Sequence, residues 1–177
     1  ARDDLPDGGA WHLLEILQKI KELAPEATRE VLTSDFQGNE KAWDTVLEGS
    51  PDVFNHNMET VRKLTPFVRH KATYNRSLDF LTYLSKKDLK TQVKSGIMVG
   101  LGETEEEVHQ TIDDLKHSGC SIVTIGQYLQ PNLKKFKVKS FVTPETFKKY
   151  EEYGLSLGMK MHSGPFVRSS YHAWEQV

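Results

Sequence analysis

The run Val93-Lys94-Ser95-Gly96-Ile97-Met98-Val99-Gly100-Leu101-Gly102-Glu103-Thr104-Glu105-Glu106-Glu107 constrains the fold more than any other stretch of the chain. Its first half is apolar and β-branched, as a buried strand requires. Gly100 and Gly102 permit a tight turn with backbone angles that other residues adopt only at a cost. Thr104 followed by Glu107 three places on is a capping box, and Glu105, Glu106 and Glu107 suit the positive end of a helix. Strand, glycine turn and helix in that order put a polar turn at the carboxyl end of a strand. In parallel α/β proteins that rim carries the chemistry.

Helix and strand signals alternate along the rest of the chain. Leu13, Leu14, Ile16, Leu17, Ile20 and Leu23 predict an amphipathic helix from Trp11 to Leu23, stopped before Pro25. Strands are expected at Arg29–Ser34, Asp52–Asn57, Gln92–Val99 and Ser121–Gln127, with a short last one at Met159–His162. Further helices are expected through Trp43, Val46 and Leu47, over Tyr74–Leu84, through Val108, Ile112 and Leu115, and from Pro144 to about Leu157 behind a Thr143 cap. Short joins between such units imply a mainly parallel sheet with right-handed crossovers. Polar residues recur after every strand, which favours a barrel or partial barrel over an open sheet. Asp35, Asn55-His56-Asn57, Gly100 to Glu103, Gln127-Tyr128 and His162-Ser163 would then gather on one rim around a polar pocket.

Bulk properties exclude several classes. The chain has 177 residues, enough for one domain with a sizeable core, and 37% apolar with 27% charged residues is ordinary globular composition. A net charge of -2 gives no bulk attraction to nucleic acid or to an anionic membrane. The densest basic stretch, Lys134-Lys135-Phe136-Lys137-Val138-Lys139, is short and reads as a solvated loop face. No signal peptide or long apolar span is present, and a single cysteine, Cys120, rules out an internal disulfide framework. A reducing, cytoplasmic setting is the default expectation.

The individual polar residues have plain readings beside functional ones. Asn55, His56 and Asn57 are able to bond loop backbone as well as a ligand. Gly100 and Gly102 lack the third glycine of a dinucleotide motif, and the acidic helix start disfavours a phosphate. Lys94 is either a Schiff-base nucleophile, as in a small-molecule lyase, or a salt-bridged structural lysine. His12, His70, His109 and His117 show no metal-ligand spacing and are expected at the surface.

Six segments carry more than generic information. Arg2-Asp3-Asp4-Leu5-Pro6-Asp7-Gly8-Gly9, Ser34-Asp35-Phe36-Gln37-Gly38, Asp52 through Thr60 with its Asn55-His56-Asn57-Met58-Glu59 centre, Lys94 through Glu103, Thr124 through Pro131, and Ser163-Gly164-Pro165-Phe166-Val167-Arg168-Ser169-Ser170-Tyr171-His172 together resemble the lipoyl synthase family, in order and end to end. The resemblance implies radical chemistry dependent on S-adenosyl-L-methionine, carried on a partial (β/α) TIM-type barrel. It further implies two 4Fe-4S clusters, one that cleaves the cofactor to a deoxyadenosyl radical and one that donates two sulfur atoms to an octanoyl chain. The partners so implied are octanoylated lipoyl carrier domains of 2-oxoacid dehydrogenase E2 and glycine cleavage H protein, with ferredoxin or flavodoxin as electron donor. By position, Asn55, Asn57 and Glu59 would hold the ribose and methionine ends of the cofactor. Gly100, Gly102, Glu103, Gln127 and Tyr128 would border the adenine, Arg168 would lie beside the auxiliary cluster, and Ser169 would ligate it, with Ser170 as the alternative.

The family also carries C-x3-C-x2-C and C-x4-C-x5-C cluster motifs, and this chain matches neither. The expectation is that residues 1–177 form the C-terminal part of one barrel domain whose first strands are missing, ending in a cluster-ligand segment at 163–172, and that they are inactive alone. The inner faces of the remaining strands should then be exposed as an apolar patch. An inert barrel with only a binding role stays open as the alternative.

Overall fold

A computed structural model describes residues 2, 4–69, 71–87 and 90–170. Five strands, β1 (Glu30–Leu32), β2 (Val53–Asn55), β3 (Gln92–Val99), β4 (Ile122–Gln127) and β5 (Lys160–Gly164), form one sheet in the order β1-β2-β3-β4-β5. Every pair is parallel. The order never reverses, so each crossover steps the same way and the helices collect on one face, as in a barrel wall.

Helices α1 (Ala10–Leu23), α2 (Glu40–Leu47), α3 (Thr65–Val68), α4 (Tyr74–Lys87), α5 (Glu105–His117) and α6 (Pro144–Ser156) connect the strands. The expected caps are present. Thr104 Oγ1 accepts from Glu107 N, whose carboxylate in turn accepts from Thr104 N, and Thr143 Oγ1 accepts from Thr146 N. The short α3, in a stretch with no clear periodicity, is an addition to the sequence reading. Gly100 and Gly102 have φ of 96° and 109°, so the turn uses the left-handed backbone that the sequence reserved for glycine.

Strand parity divides the sheet into two faces. Val31, Phe54, Val93, Ile97, Val99, Val123, Ile125 and Met161 pack with the helices in the core. Phe80 of α4 lies at its centre, fully buried, stacked on Trp43 at 4.8 Å and edge-on to Phe54 at 5.6 Å. The opposite parity, facing the barrel interior, carries Glu30, Asn55, Lys94, Gly96, Thr124 and His162.

Leu32, Val53, Met98 and Ile122 share this parity, so the interior face is mixed rather than wholly apolar: Val53 and Ile122 are buried, and Leu32 at the β1 edge is 52% exposed. Beside that edge Ile16, Ile20 and Leu23 on α1 also reach solvent. The amphipathic stripe of α1 is wider than the strand it covers, so only Ala10, Leu14 and Leu17 are buried. Among the described residues β1 has no strand on its far side. No helix among them is long and apolar enough to cross a membrane.

Phe80→Ala removes the ring on which α2, α4 and β2 converge. It should cost about 3–5 kcal/mol of unfolding free energy in a urea titration, and a loss below about 1 kcal/mol would contradict this packing.

Candidate functional site

Beyond β2 the chain stays extended and hugs β3. Glu59 N donates to Gly96 O at 3.0 Å, and Met98 N donates to Glu59 O at 2.9 Å. This continuation brings Asn57 and Glu59 onto the interior rim. Glu59 adopts φ 67°, a left-handed conformation that a glutamate takes only under constraint from its surroundings.

Three of the polar residues satisfy one another. Lys94 Nζ, fully buried, donates to both Glu30 carboxylate oxygens at 2.9 Å, and Asn55 Nδ2 donates to Glu30 Oε1 at 3.0 Å. Lys94 is thus the salt-bridged structural lysine and not a free amine. Two amide oxygens remain: Asn55 Oδ1 and Asn57 Oδ1 are buried and have no partner among the described residues. Asn57 Oδ1 faces Gly96, where a Cβ would lie 3.0 Å from it and 2.6 Å from Thr124 Oγ1. The glycine keeps this corner open.

A cavity of about 650 Å³ opens here, walled by Thr33, His56, Asn57, Glu59 and Arg69 with apolar Leu13 and Phe36 opposite. That volume suits a small organic ligand. A smaller space of about 120 Å³ lies across Asn57 and Glu59, bounded by Gly96, Thr124, Gly126 and the segment Val167-Arg168-Ser169. Asn57 and Glu59 form the partition between the two.

The wall is electrostatically ordered. Arg69 Nη1 donates to Met58 O at 2.9 Å and Ser77 Oγ at 3.2 Å. Burial lowers the Arg69 pKa, and the Glu59 carboxylate opposes that shift. Burial raises the Glu59 pKa, with Arg69 and Asn57 acting against it. His56 Nδ1 lies 2.9 Å from Thr33 O, an acceptor only, so Nδ1 carries the proton; Nε2 then accepts from Ser77 Oγ at 2.8 Å. Burial pushes the His56 pKa down to about 4. Sequence reading found His56 but missed Arg69, which sits in the turn after α3 with no motif around it.

The second group of expected site residues is placed differently. Glu103 lies on the same rim, but its carboxylate accepts from Gly100 N at 2.5 Å and Leu101 N at 2.9 Å. Gln127 Nε2 donates to Tyr128 O and Ser140 O, its Oε1 accepts from Val142 N, and Tyr128 Oη donates to Phe136 O. Gly100, Gly102, Glu103, Gln127 and Tyr128 thus brace the rim loops, and none of them lines either cavity. Asp35, also expected on the rim, is buried against Arg76 Nε at 2.6 Å. Ser163 turns outward and donates to Phe147 O.

Ser169 lines the smaller cavity, and Ser170 is exposed. Arg168 Nη1 donates back to Val167 O at 2.6 Å. Tyr171 and His172, with His70, lie outside the described residues. His109 packs half-buried against Tyr150 and Tyr153 rather than standing free on the surface. Cys120 is buried at the amino end of β4, away from this rim, and burial raises its thiol pKa far above the usual range. Among the described residues no group of His, Cys, Asp and Glu could hold a metal ion.

Comparisons with known proteins place the chain in the radical SAM superfamily. Residues 3–115 match the Radical SAM superfamily. A lipoyl synthase of Protochlamydia amoebophila is 61% identical over 98% of this chain and 54% of its own length. One from Flavobacterium johnsoniae is 52% identical over 99% of this chain and 61% of its own length. The chain thus spans little more than half the length of the curated relatives it matches. In fold it is similar to a domain of pyruvate-formate lyase-activating enzyme from Bacteroides vulgatus, with TM-score 0.67 at 13% identity, covering 90% of this chain and 93% of that one.

His56 supplies a pH test of the wall. Its folded pKa lies below the ordinary histidine value of 6.5, so the unfolded state binds more protons between about pH 6.5 and 4. Stability from neutral His56 is complete above that window and is lost as pH falls through it, by about 3 kcal/mol. Glu59 contributes with the opposite sign, so the parent is compared with His56→Gln. The free-energy difference between them from urea unfolding should shrink from pH 7 to pH 4; a constant difference would contradict a neutral, buried His56.

Proposed function

Because the chain belongs to the radical SAM superfamily and is 52–61% identical to lipoyl synthases, we propose that it forms the S-adenosylmethionine-holding part of a lipoyl synthase. Such an enzyme inserts two sulfur atoms into the octanoyl chain of a lipoyl carrier domain. The observation that carries this reading is the buried, unpartnered amide oxygen of Asn57 in the wall of a cavity of about 650 Å³; Asn55, with a second unpartnered oxygen, lines neither cavity.

The residues present fit the cofactor. A buried acceptor without a donor costs about 1–3 kcal/mol, a deficit that ribose hydroxyls or an ammonium group remove. Asn57 is placed to accept from one of these, with Asn55 behind it. Glu59 and Arg69, across the same wall, offer a carboxylate for the methionine ammonium and a guanidinium for its carboxylate. When bound, the cofactor supplies one-electron chemistry able to break an unactivated C–H bond. The chain's own task is to hold the reacting groups together and keep water out.

The residues present do not fit an iron–sulfur cluster. Cluster irons require thiolates, and the single cysteine is buried at the far rim with its thiol held protonated. No step is routed through a cluster here, and the thiolates of this reading are not among these 177 residues. Ser169 is the oxygen donor of this chain at the smaller cavity, and we assign it to the sulfur-donating side. Gly100 to Glu103, Gln127 and Tyr128 keep a bordering role for the adenine only as the scaffold of the rim. The carriers of this reading are E2-type or H-protein-type domains, the electron donor a ferredoxin or flavodoxin, and the setting cytoplasmic. The Schiff-base alternative loses support because both oxygens of Glu30 hold Lys94.

The test is a chimera in which this chain replaces the matching segment of the Protochlamydia amoebophila lipoyl synthase, reconstituted without oxygen. It should make lipoyl product. Asn57→Ala should weaken S-adenosylmethionine binding about tenfold or more, whereas Ser169→Ala should still cleave the cofactor to deoxyadenosine and lose lipoyl product at least tenfold. Lipoyl formation at the parent rate in Ser169→Ala would remove that serine from the site, and unchanged cofactor binding in Asn57→Ala would overturn the reading of the cavity.

A further inference from the structure

We propose that the loop between β4 and α6, residues 129–141, is a docking surface for an acidic face of the acyl-bearing carrier domain. The inference rests on the reading above for the identity of the partner, and on the loop itself for the surface.

Charge is the first observation. Lys134, Lys135, Lys137 and Lys139 are exposed, and none has an ion-pair or hydrogen-bond partner for its ammonium among the described residues. From residue 129 to 142 there is no aspartate or glutamate, so the loop carries +4 in a chain whose net charge is -2. Apolar side chains stand among these lysines. Leu133 is 94% exposed, Phe141 74% and Leu129 52%. Apolar anchors within a charged border are the usual anatomy of a protein interface.

Order is the second observation. A solvated loop of this length needs no internal bracing, yet this one is tied at several points. Gln127 grips Ser140 O and Val142 N, Tyr128 Oη holds Phe136 O, and Gln130 Nε2 donates to Asn132 O and Lys135 O. The exposed lysines and leucine are thus presented on a fixed frame, which lowers the ordering cost of association.

Position is the third. Lys139 N and Ser140 N donate to Gly100 O at 2.8 and 3.3 Å, so the loop lies on the turn at the carboxyl end of β3. That is the rim on which Asn57 and Glu59 open to the cavities. An acyl chain carried on a protein must enter from this rim, and the body of the carrier then rests on the loops around it. The nearby acids do not pair with the lysines: Glu103 is bonded to the turn at Gly100 and Leu101, and Glu106 and Glu145 sit on the first turns of α5 and α6.

A compact acidic protein face fits better than an extended polyanion. Outside the loop the chain is net negative, which repels a nucleic acid strand or an anionic bilayer long enough to overrun thirteen or so residues. A carrier domain touching the loop alone avoids that repulsion.

The experiment titrates an octanoylated carrier domain into the full chain by calorimetry, at about 20 mM and about 0.5 M salt. Lys134→Glu/Lys135→Glu/Lys137→Glu should bind about tenfold or more weaker at low salt, with the gap closing to about twofold at high salt. Leu133→Ser should bind about threefold weaker at both salts, and Lys86→Glu, at the opposite rim on α4, should match the parent. An octanoyl-lysine tripeptide, which has no domain to dock, should bind parent and triple variant alike. The proposal falls if the parent chain does not bind the carrier, if the triple variant binds it as the parent does, or if the tripeptide loses affinity in parallel. It also falls if single-stranded RNA or phosphatidylserine vesicles bind through these lysines more tightly than the carrier. Should the lysine effect stand while the chimera makes no lipoyl product, the docking surface holds and the activity assigned above is wrong.

Discussion

The arrangement of the interior depends on one buried charge. Lys94 sits in the middle of β3 with no exposure to solvent, and its ammonium is tolerable there only because both Glu30 oxygens lie at 2.9 Å. Glu30 belongs to β1 and Asn55, which also bonds it, to β2. The pair therefore ties three strands across the inner face. Removing one partner of such a pair leaves an uncompensated buried charge at a cost of about 3–5 kcal/mol. A slip of β1 or β2 by one residue would do the same, because it turns Glu30 or Asn55 toward the helices. The ion pair thus acts chiefly on register, and register places Asn57 and Glu59.

Everything at the rim follows from that placement. Once Asn55 faces inward, Asn57 does too, two residues on, and the bridge from Glu59 to β3 carries the segment over Gly96. The left-handed backbone at Glu59 and the orphaned oxygen of Asn57 are both costs within the protein alone. In the function proposed above, a ligand in the cavity donates to that oxygen and removes the second of these costs. Arg69 is held from the other side by Ser77, whose hydroxyl also donates to His56 Nε2, so the cationic wall is oriented before any ligand arrives.

The sheet was legible in the sequence because polar residues recur after the strands and α2, α5 and α6 begin behind capping side chains. Thr104 with Glu107 and Thr143 with Pro144 marked the starts of their helices. Function at single residues was less legible. Glu103 and Gln127 have the chemistry of ligand-binding groups, and they lie on the right rim, yet their side chains close loops over distances that a linear pattern does not reveal. The polar members of the inner face could have been read from the alternation of Glu30, Asn55, Lys94 and Thr124 against Val31, Phe54, Val93 and Val123. The expectation of an apolar patch counted only their apolar neighbours on that face, Leu32, Val53, Met98 and Ile122. Arg69 left no trace because its role comes from a turn that folds it back against β2.

The segment after β5 shows why the two cavities stay separate. Val167 is buried against the inner face, and its carbonyl presses on the backbone of Gly126, so closely that a Cβ at that position would collide with it. Glycine at 126 is thus a condition for the segment to cross the sheet at that height. Val167 N also bonds Gly164 O, which turns the chain sharply at the end of β5 and sends Arg168 and Ser169 back over β4. The result is a small space bounded by Ser169 on one side and by Asn57 and Glu59 on the other. The partition residues face the larger cavity as well, so a group bound there and a group near Ser169 would be held apart by two side chains. In the function proposed above, hydrogen is taken on one side and sulfur delivered on the other, and this partition keeps the two reagents apart while one acyl chain reaches both.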